Sequence, residues 1–137
     1  MTRIVLDTNC LLAILPSRSP YHSVWINLLN ERLQLCVSNE ILLEYEEILS
    51  LKASPLLADS IMKTLINKPN VLRIKPCWHF NLIQTDLDDN MFVDCAICGQ
   101  AEVLISNDAH FNALHQIGFP KVRLMKLQDF VALYSSM

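Results

Sequence analysis

The order of apolar and helical segments predicts an α/β fold, a three-layer α/β/α sandwich around a central, mainly parallel five-stranded sheet. Five short apolar runs read as strands, at residues 4–6, 35–37, 71–74, 103–105 and 122–125. Helical patterns of ten or more residues separate most of them, which is the length a crossover between parallel strands needs. With 52% hydrophobic residues in 137, the chain is long and apolar enough to bury one sizeable core, so residues 1–137 are expected to form a single domain.

The elements follow in order. Ile4-Val5-Leu6 stops abruptly at Asp7-Thr8-Asn9, as a buried strand does when it delivers a polar group to the rim of a sheet. Cys10 to Leu15 continues apolar until Pro16, and Ser19-Pro20 reads as an N-cap with proline at the first helical position of a helix reaching about Arg32. Ser38 is expected to cap a helix running to about Leu51, and Ser54-Pro55 another that ends before Asn67-Lys68-Pro69. The segment from Pro76 to Asp89 carries Trp78, His79, Asp86, Asp88 and Asp89 and reads as a loop close to the site. A helix over 90–101, another opening near Ala109 and a last one near 127–134 complete the chain.

Composition removes several function classes. No apolar run approaches the roughly 20 residues that cross a bilayer, and Met1-Thr2-Arg3 leads directly into the first strand, so a soluble cytoplasmic protein without membrane contact is expected. Five cysteines, an odd number mostly inside apolar segments, suit reduced core thiols better than a disulfide framework, and Cys95-x-x-Cys98 reads as core packing within a helix. With only Gly99 and Gly118, neither a dinucleotide fingerprint nor a phosphate-cradling glycine loop can exist, and the G-x-S-x-G elbow of a serine hydrolase is absent. The net charge of −3 argues mildly against a nucleic-acid binder. That changes sign if four acids are metal ligands, because bound dications make the cleft positive.

Four acids occupy informative places. Asp7 ends the first strand and either caps the following turn or binds a metal. At about 100° per residue, Tyr45, Ile48 and Leu49 share a face with Ile41, Glu46 and Glu47 point to solvent, and Glu44 falls at the flank of the apolar stripe. Asp94 is the lone charge in an otherwise apolar helix, where an unpaired carboxylate is costly unless it is bonded or coordinates a metal. Asp89, near the start of that helix, is expected either to cap it or to share the face of Asp94 as a supporting partner. Asp108 repeats the arrangement of Asp7: Val103-Leu104-Ile105 is a buried run followed by Ser106-Asn107-Asp108, and the two strand-end acids converge if their strands are neighbours. Ser106 and Asn9 would then support the carboxylates. Carboxylates gathered without an obligatory His or Cys repel one another unless a hard dication neutralises them, and such a site suits hydrolysis of a phosphodiester.

At this point the sequence resembles the PIN-domain nucleases, particularly the VapC-type toxins of bacterial toxin–antitoxin pairs. The resemblance rests on Val5-Leu6-Asp7-Thr8-Asn9, Ser38-x5-Glu44, Asp89-Asn90-x-Phe92-x-Asp94-Cys95-Ala96 and Leu104-Ile105-Ser106-Asn107-Asp108 with Phe111 behind, in that order. It implies a PIN-like sandwich in which Asp7, Glu44, Asp94 and Asp108 bind one or two Mg²⁺ or Mn²⁺ ions and cleave RNA, with Asn9 and Ser106 in polar supporting positions. It also implies a homodimer and a small antitoxin protein as inhibitor. Ser106 stands where many relatives have threonine, which keeps a hydroxyl.

Two other functions remain open on the sequence. A phosphatase of the haloacid dehalogenase type also opens with a strand ending in Asp but needs a second acid where Asn9 stands. A PIN-like module that binds RNA or protein without cutting would have no need of four acids. The basic residues are too scattered to mark a substrate track, and Trp78 and His79 are expected in core or interface packing more than in base stacking.

Overall fold

The computed structural model describes residues 1–75, 77–83, 89–118 and 122–134. Strands β1 (Thr2–Leu6), β2 (Leu33–Val37), β3 (Val71–Arg73), β4 (Val103–Ile105) and β5 (Leu124–Met125) form one sheet in the order β3-β2-β1-β4-β5, and every neighbouring pair is parallel. Helices cover both of its faces, giving the three-layer sandwich that the alternation of elements predicts. The centre of the sheet explains the lack of alternation in the strand sequences. Ile4, Val5 and Leu6 on β1, like all three residues of β4, meet helices on either side and are fully or almost fully buried. The edge strands β3 and β5 are short and mostly half-buried, which limits the unpaired backbone they present.

Six α-helices and one 3-10 helix among the described residues surround the sheet: α1 (Thr8–Ile14), α2 (His22–Leu29), α3 (Asn39–Lys52), α4 (Pro55–Asn67), α5 (Asn90–Cys98), the 3-10 helix Ala109–Gln116 and α6 (Leu127–Leu133). The caps at Ser38 and Ser54 form as expected, their hydroxyls accepting from the N–H groups of Ile41 at 3.2 Å and Leu57 at 3.0 Å. Ser19 does not cap α2. Its hydroxyl accepts from the Tyr21 N–H within a turn, so the helix opens at His22 and closes at Leu29, three residues before Arg32. Strand β3 ends at Arg73 and α5 at Cys98, both short of their expected ends. Where a regular helix was expected after Asp108, the chain winds as a 3-10 helix with Phe111 and Leu114 buried.

The cysteines differ from expectation. Cys77 and Cys98 form a disulfide, while Cys10, Cys36 and Cys95 stay free and buried. Cys98 is the last residue of α5 rather than a mid-helix position, so it faces the 77–83 segment instead of the core. Trp78 does not pack in the core, since 67% of it is exposed. The 77–83 segment has no regular secondary structure, in keeping with the expected loop, whereas Pro76, Asp86 and Asp88 lie outside the described residues. None of the described helices is long and apolar enough to cross a membrane.

Candidate active site

The parallel pairing of β1 with β4 sets Leu6 opposite Ile105, so the chain leaves both strands at the same edge and the same level. Asp7 follows the first and Ser106 the second, and the Asp7 N–H continues the ladder to the Ile105 carbonyl at 3.1 Å. One oxygen of Asp7 does cap α1, accepting from the Cys10 N–H at 2.8 Å. The other accepts from the Ser106 hydroxyl. Capping and presentation at the site are therefore the work of one carboxylate, held through both its oxygens in one orientation. Ser106 in turn accepts from the Asp108 N–H at 3.0 Å, which fixes the turn that carries the second strand-end acid. Asp108 caps the 3-10 helix through the His110 N–H at 2.9 Å.

Asp7, Asp108, Glu44 and Asp89 line one cavity of about 300 Å³, together with Thr8, Asn9, Ile48, Lys52 and Phe92. Glu44 reaches it from α3 in the half-buried position at the flank of the apolar stripe, and Glu46 and Glu47 are exposed as expected. Asn9 lines the wall from an exposed position. Thr8 is 8% exposed, yet its hydroxyl oxygen has no hydrogen-bond partner among the described residues.

Asp94, expected with these acids, lines the adjoining part of the same cleft, which shares Glu44 with the first. It is 4% exposed and lines an adjoining cavity of about 550 Å³ with Glu44, Glu40, Glu47, His79 and Asn90. Its Oδ1 accepts from the Phe80 N–H at 3.0 Å, and its Oδ2 lies 3.5 Å from Nδ1 of the exposed His79. Helical geometry separates Asp94 from Asp89. Five positions at about 100° each put Asp94 about 140° around from Asp89, so the two cannot share a face. Asp89 occupies the N-cap position of α5 without a side-chain capping bond, and its Oδ2 sits 3.5 Å from His110 Nδ1. Glu44 is common to both cavities and links them into one acidic cleft.

Sequence reasoning missed His110, Lys52 and Thr8. His110 stands two residues beyond Asp108, but only the tight 3-10 winding turns its ring back over that carboxylate, with Nδ1 at 3.4 Å from Asp108 Oδ1. Lys52 closes α3 two turns beyond Glu44, a spacing that puts it on the same wall. Burial shapes the groups beneath the cleft. Desolvation and then the neighbouring Asp7 carboxylate push the Cys10 thiol far above its ordinary range, and burial first raises Tyr45, whose hydroxyl donates to the Leu6 carbonyl at 2.6 Å. Neither serves as a base or nucleophile near neutrality, which leaves the carboxylates as the site's chemistry.

Solved structures match this fold. The chain resembles VapBC2 from Rickettsia felis bound to a DNA fragment from its promoter, with a TM-score of 0.60 and 18% identity over 91% of this chain and 98% of that one. DNA-bound VapBC from Salmonella typhimurium gives a TM-score of 0.59 at 18% identity over 93% and 99%. VapBC-1 from nontypeable Haemophilus influenzae gives 0.63 at 14% identity over the same two shares. No curated protein matches the sequence significantly. The model of the PIN domain family matches residues 3–110, a span that runs from β1 through Asp108 and His110. The chain belongs to the PIN-domain family.

Proposed function

We propose that the chain is a metal-dependent endoribonuclease that hydrolyses RNA phosphodiester bonds, the toxin of a toxin–antitoxin pair of the VapC kind. The observation that carries this is the meeting of Asp7 and Asp108 at the ends of adjacent strands, in one cavity with Glu44 and Asp89. Four carboxylates about so small a space repel one another at neutral pH, and a dication removes the repulsion. The donor set of four carboxylates fits Mg²⁺ or Mn²⁺, which prefer carboxylate oxygens and keep several waters. Asp7, Glu44, Asp89 and Asp108 would hold one or two ions, with Asp94 contributing its charge from the adjoining part of the cleft.

When bound, the metal supplies an acidified water and neutralises charge on the phosphate. The rest falls to the chain. Ser106 and the Cys10 N–H hold the Asp7 carboxylate in place, so it need not reorganise when substrate arrives. Lys52 at the cavity wall carries the cation suited to a neighbouring phosphate. Asn9 stands where a phosphatase of the haloacid dehalogenase type needs its acid, and an amide cannot donate a proton to a leaving group.

The partner proposals follow from the kin. The three structures described above are VapBC assemblies, and we propose a small antitoxin protein as partner and a homodimer as the assembly. An apolar groove of about 450 Å³, with Leu12, Leu15, Trp25, Leu49, Leu57 and Ile61 on its walls, supports docking of an amphipathic antitoxin segment. The cytoplasm is the proposed compartment.

The test is cleavage of a short single-stranded RNA with added Mg²⁺ or Mn²⁺. Chelation should abolish cleavage, and Asp7→Asn should lower it by about a hundredfold or more while the circular dichroism spectrum is unchanged. Undiminished cleavage by a folded Asp7→Asn preparation would overturn the proposal.

A further inference from the structure

We propose that the Cys77–Cys98 disulfide is a reversible redox clasp, which holds the 77–83 segment over Asp94 and whose reduction by a dithiol releases that carboxylate to the acidic cleft. The effect on RNA cleavage rests on the nuclease reading above; the clasp itself does not. The segment runs along α5 and is fixed to it at three places. Cys77 is bonded to Cys98, the last residue of the helix, and Ile83 exchanges two 2.8 Å bonds with the side chain of Asn90, the first. Midway between them, the Phe80 N–H donates to Asp94 Oδ1 at 3.0 Å, and His79 Nδ1 stands 3.5 Å from Oδ2. Both oxygens of this buried carboxylate therefore face one short stretch of chain.

The segment has no regular secondary structure, so no helix or ladder of its own holds it in place. A few hydrogen bonds do not by themselves order a loose stretch, because each returns little more than the conformational entropy it costs. The covalent tie at Cys77 removes much of that entropy in advance, and it is the one attachment that chemistry can make and break. The bond is also within reach. Cys77 is exposed and Cys98 half-buried, whereas the three free thiols, Cys10, Cys36 and Cys95, are buried. Exposed disulfides are the labile ones, and a disulfide in a reducing compartment such as the cytoplasm proposed above is characteristically transient and redox-sensing.

The exchange proceeds in two steps. A thiolate of the dithiol attacks the exposed Cys77 sulfur, the protein S–S bond breaks, and the electron pair leaves on the Cys98 sulfur, which already accepts the Cys77 N–H at 3.0 Å. The second sulfur of the dithiol then attacks the mixed disulfide, closing its own S–S bond and releasing Cys77. In sum two electrons and two protons pass from the dithiol to the two cysteines, and a disulfide oxidant runs the same steps backwards. With Cys77 released, the hold on Phe80 and His79 loosens, and the Asp94 carboxylate turns to the cavity that joins, through Glu44, the one lined by Asp7, Asp89 and Asp108. The bridged form is the less active one.

The full chain is compared in its bridged form and after treatment with a dithiol, which is removed without air before any metal is added, well below the melting temperature of either form. Amide hydrogen exchange at Phe80 reads the clasp, and cleavage of a short RNA with Mn²⁺ reads its effect. Reduction should speed Phe80 exchange about tenfold or more and cleavage about fivefold or more, and a disulfide oxidant should reverse both. Cys77→Ser and Cys98→Ser should behave as the reduced chain whether or not the dithiol is used. Asp94→Asn should cleave RNA at a rate that no longer responds to the dithiol, which a merely structural bridge would not bring about. Unchanged Phe80 exchange, cleavage that reduction leaves equal or slows, or cysteines that stay thiols under the oxidant would each overturn the proposal. Faster Phe80 exchange with no RNA cleavage in either form supports the clasp and overturns the nuclease reading instead.

Discussion

Asp89 and Asp94 are five positions apart, one at the N-cap of α5 and one within it, and meet different neighbours. Both are acids next to Glu44, and neither composition nor spacing alone ranks them, because the answer depends on which side of α5 meets the strand ends. The cleft puts Asp89 with Asp7 and Asp108, and gives Asp94 to the Phe80 N–H and His79. Asp89→Asn should therefore cost RNA cleavage about a hundredfold, and Asp94→Asn about tenfold, measured at saturating Mn²⁺ on a short RNA. The reverse order of losses would return the ligand role to Asp94. Gly99 is a residue-scale constraint of another kind. A Cβ there would lie 2.9 Å from the Cys95 carbonyl oxygen, 3.0 Å from Ile74 and 3.1 Å from the Cys36 sulfur, while the Gly99 carbonyl accepts from Arg3 at 2.8 Å. Close approach of α5 to the sheet, not backbone freedom, demands glycine. Gly99→Ala should destabilise by about 1–3 kcal/mol in urea denaturation, a loss the small size of alanine would otherwise make surprising.

At the scale of elements, the helix ends and the disulfide set what can be adjusted. Helix α5 closes with the Gln100 N–H on the Ile97 carbonyl and the Ala101 N–H on Ala96, which requires Gln100 at φ 54°. Left-handed backbone costs a side-chain-bearing residue about 1–2 kcal/mol, and glycine returns about 0.4–1 kcal/mol of that to the unfolded chain as entropy. Gln100→Gly should thus raise stability by about 0.5–1 kcal/mol, read from the melting temperature. The 77–83 segment is held at three places: the disulfide at Cys77, the Phe80 N–H on Asp94, and Ile83, which exchanges two 2.8 Å bonds with the Asn90 side chain. The disulfide spans 21 positions, and a closed loop of that length stabilises by roughly 3 kcal/mol through the unfolded chain. Cys98→Ser should lower stability by about that amount under oxidising conditions, and a dithiol reductant should lower the wild type to the same level. Equal melting with and without reductant would contradict it. The capped starts of α3 and α4 were legible in the sequence because a serine cap is a local device. The disulfide was not, since a cysteine pair 21 positions apart becomes a bridge only through the path of an irregular loop.

At the scale of the whole molecule, the central strands were legible because burial on both faces leaves no freedom in residue type, and Asp7 and Asp108 became visible as polar interruptions of such runs, while the order of the strands was not. His110 and Trp78 escaped because their placement is decided by a 3-10 turn and a loop, which leave no periodic trace. The same all-round burial has a titration consequence. Burial raises Cys36 from its ordinary 9.0 to about 11 and Cys95 to about 12, and it also lifts Cys10 and Tyr45 well above their ordinary ranges, with Asp7 adding to both. In the unfolded chain the thiols release their protons near 9.0 while the folded chain keeps them, so above that pH the unfolded state binds fewer protons. Stability therefore falls as pH rises, beginning near 9.0 and continuing through about 11 for Cys36 and about 12 for Cys95, with no loss from these groups below about 8. Each such group contributes a slope of about 1.4 kcal/mol per pH unit once the unfolded thiol is ionised. Urea midpoints measured at pH 8, 9.5 and 10.5 should fall progressively, and in Cys36→Ala the fall should be shallower by one group's share whatever the starting stability. A midpoint that holds level from pH 9 to 10.5 would mean that these buried thiols are solvated after all.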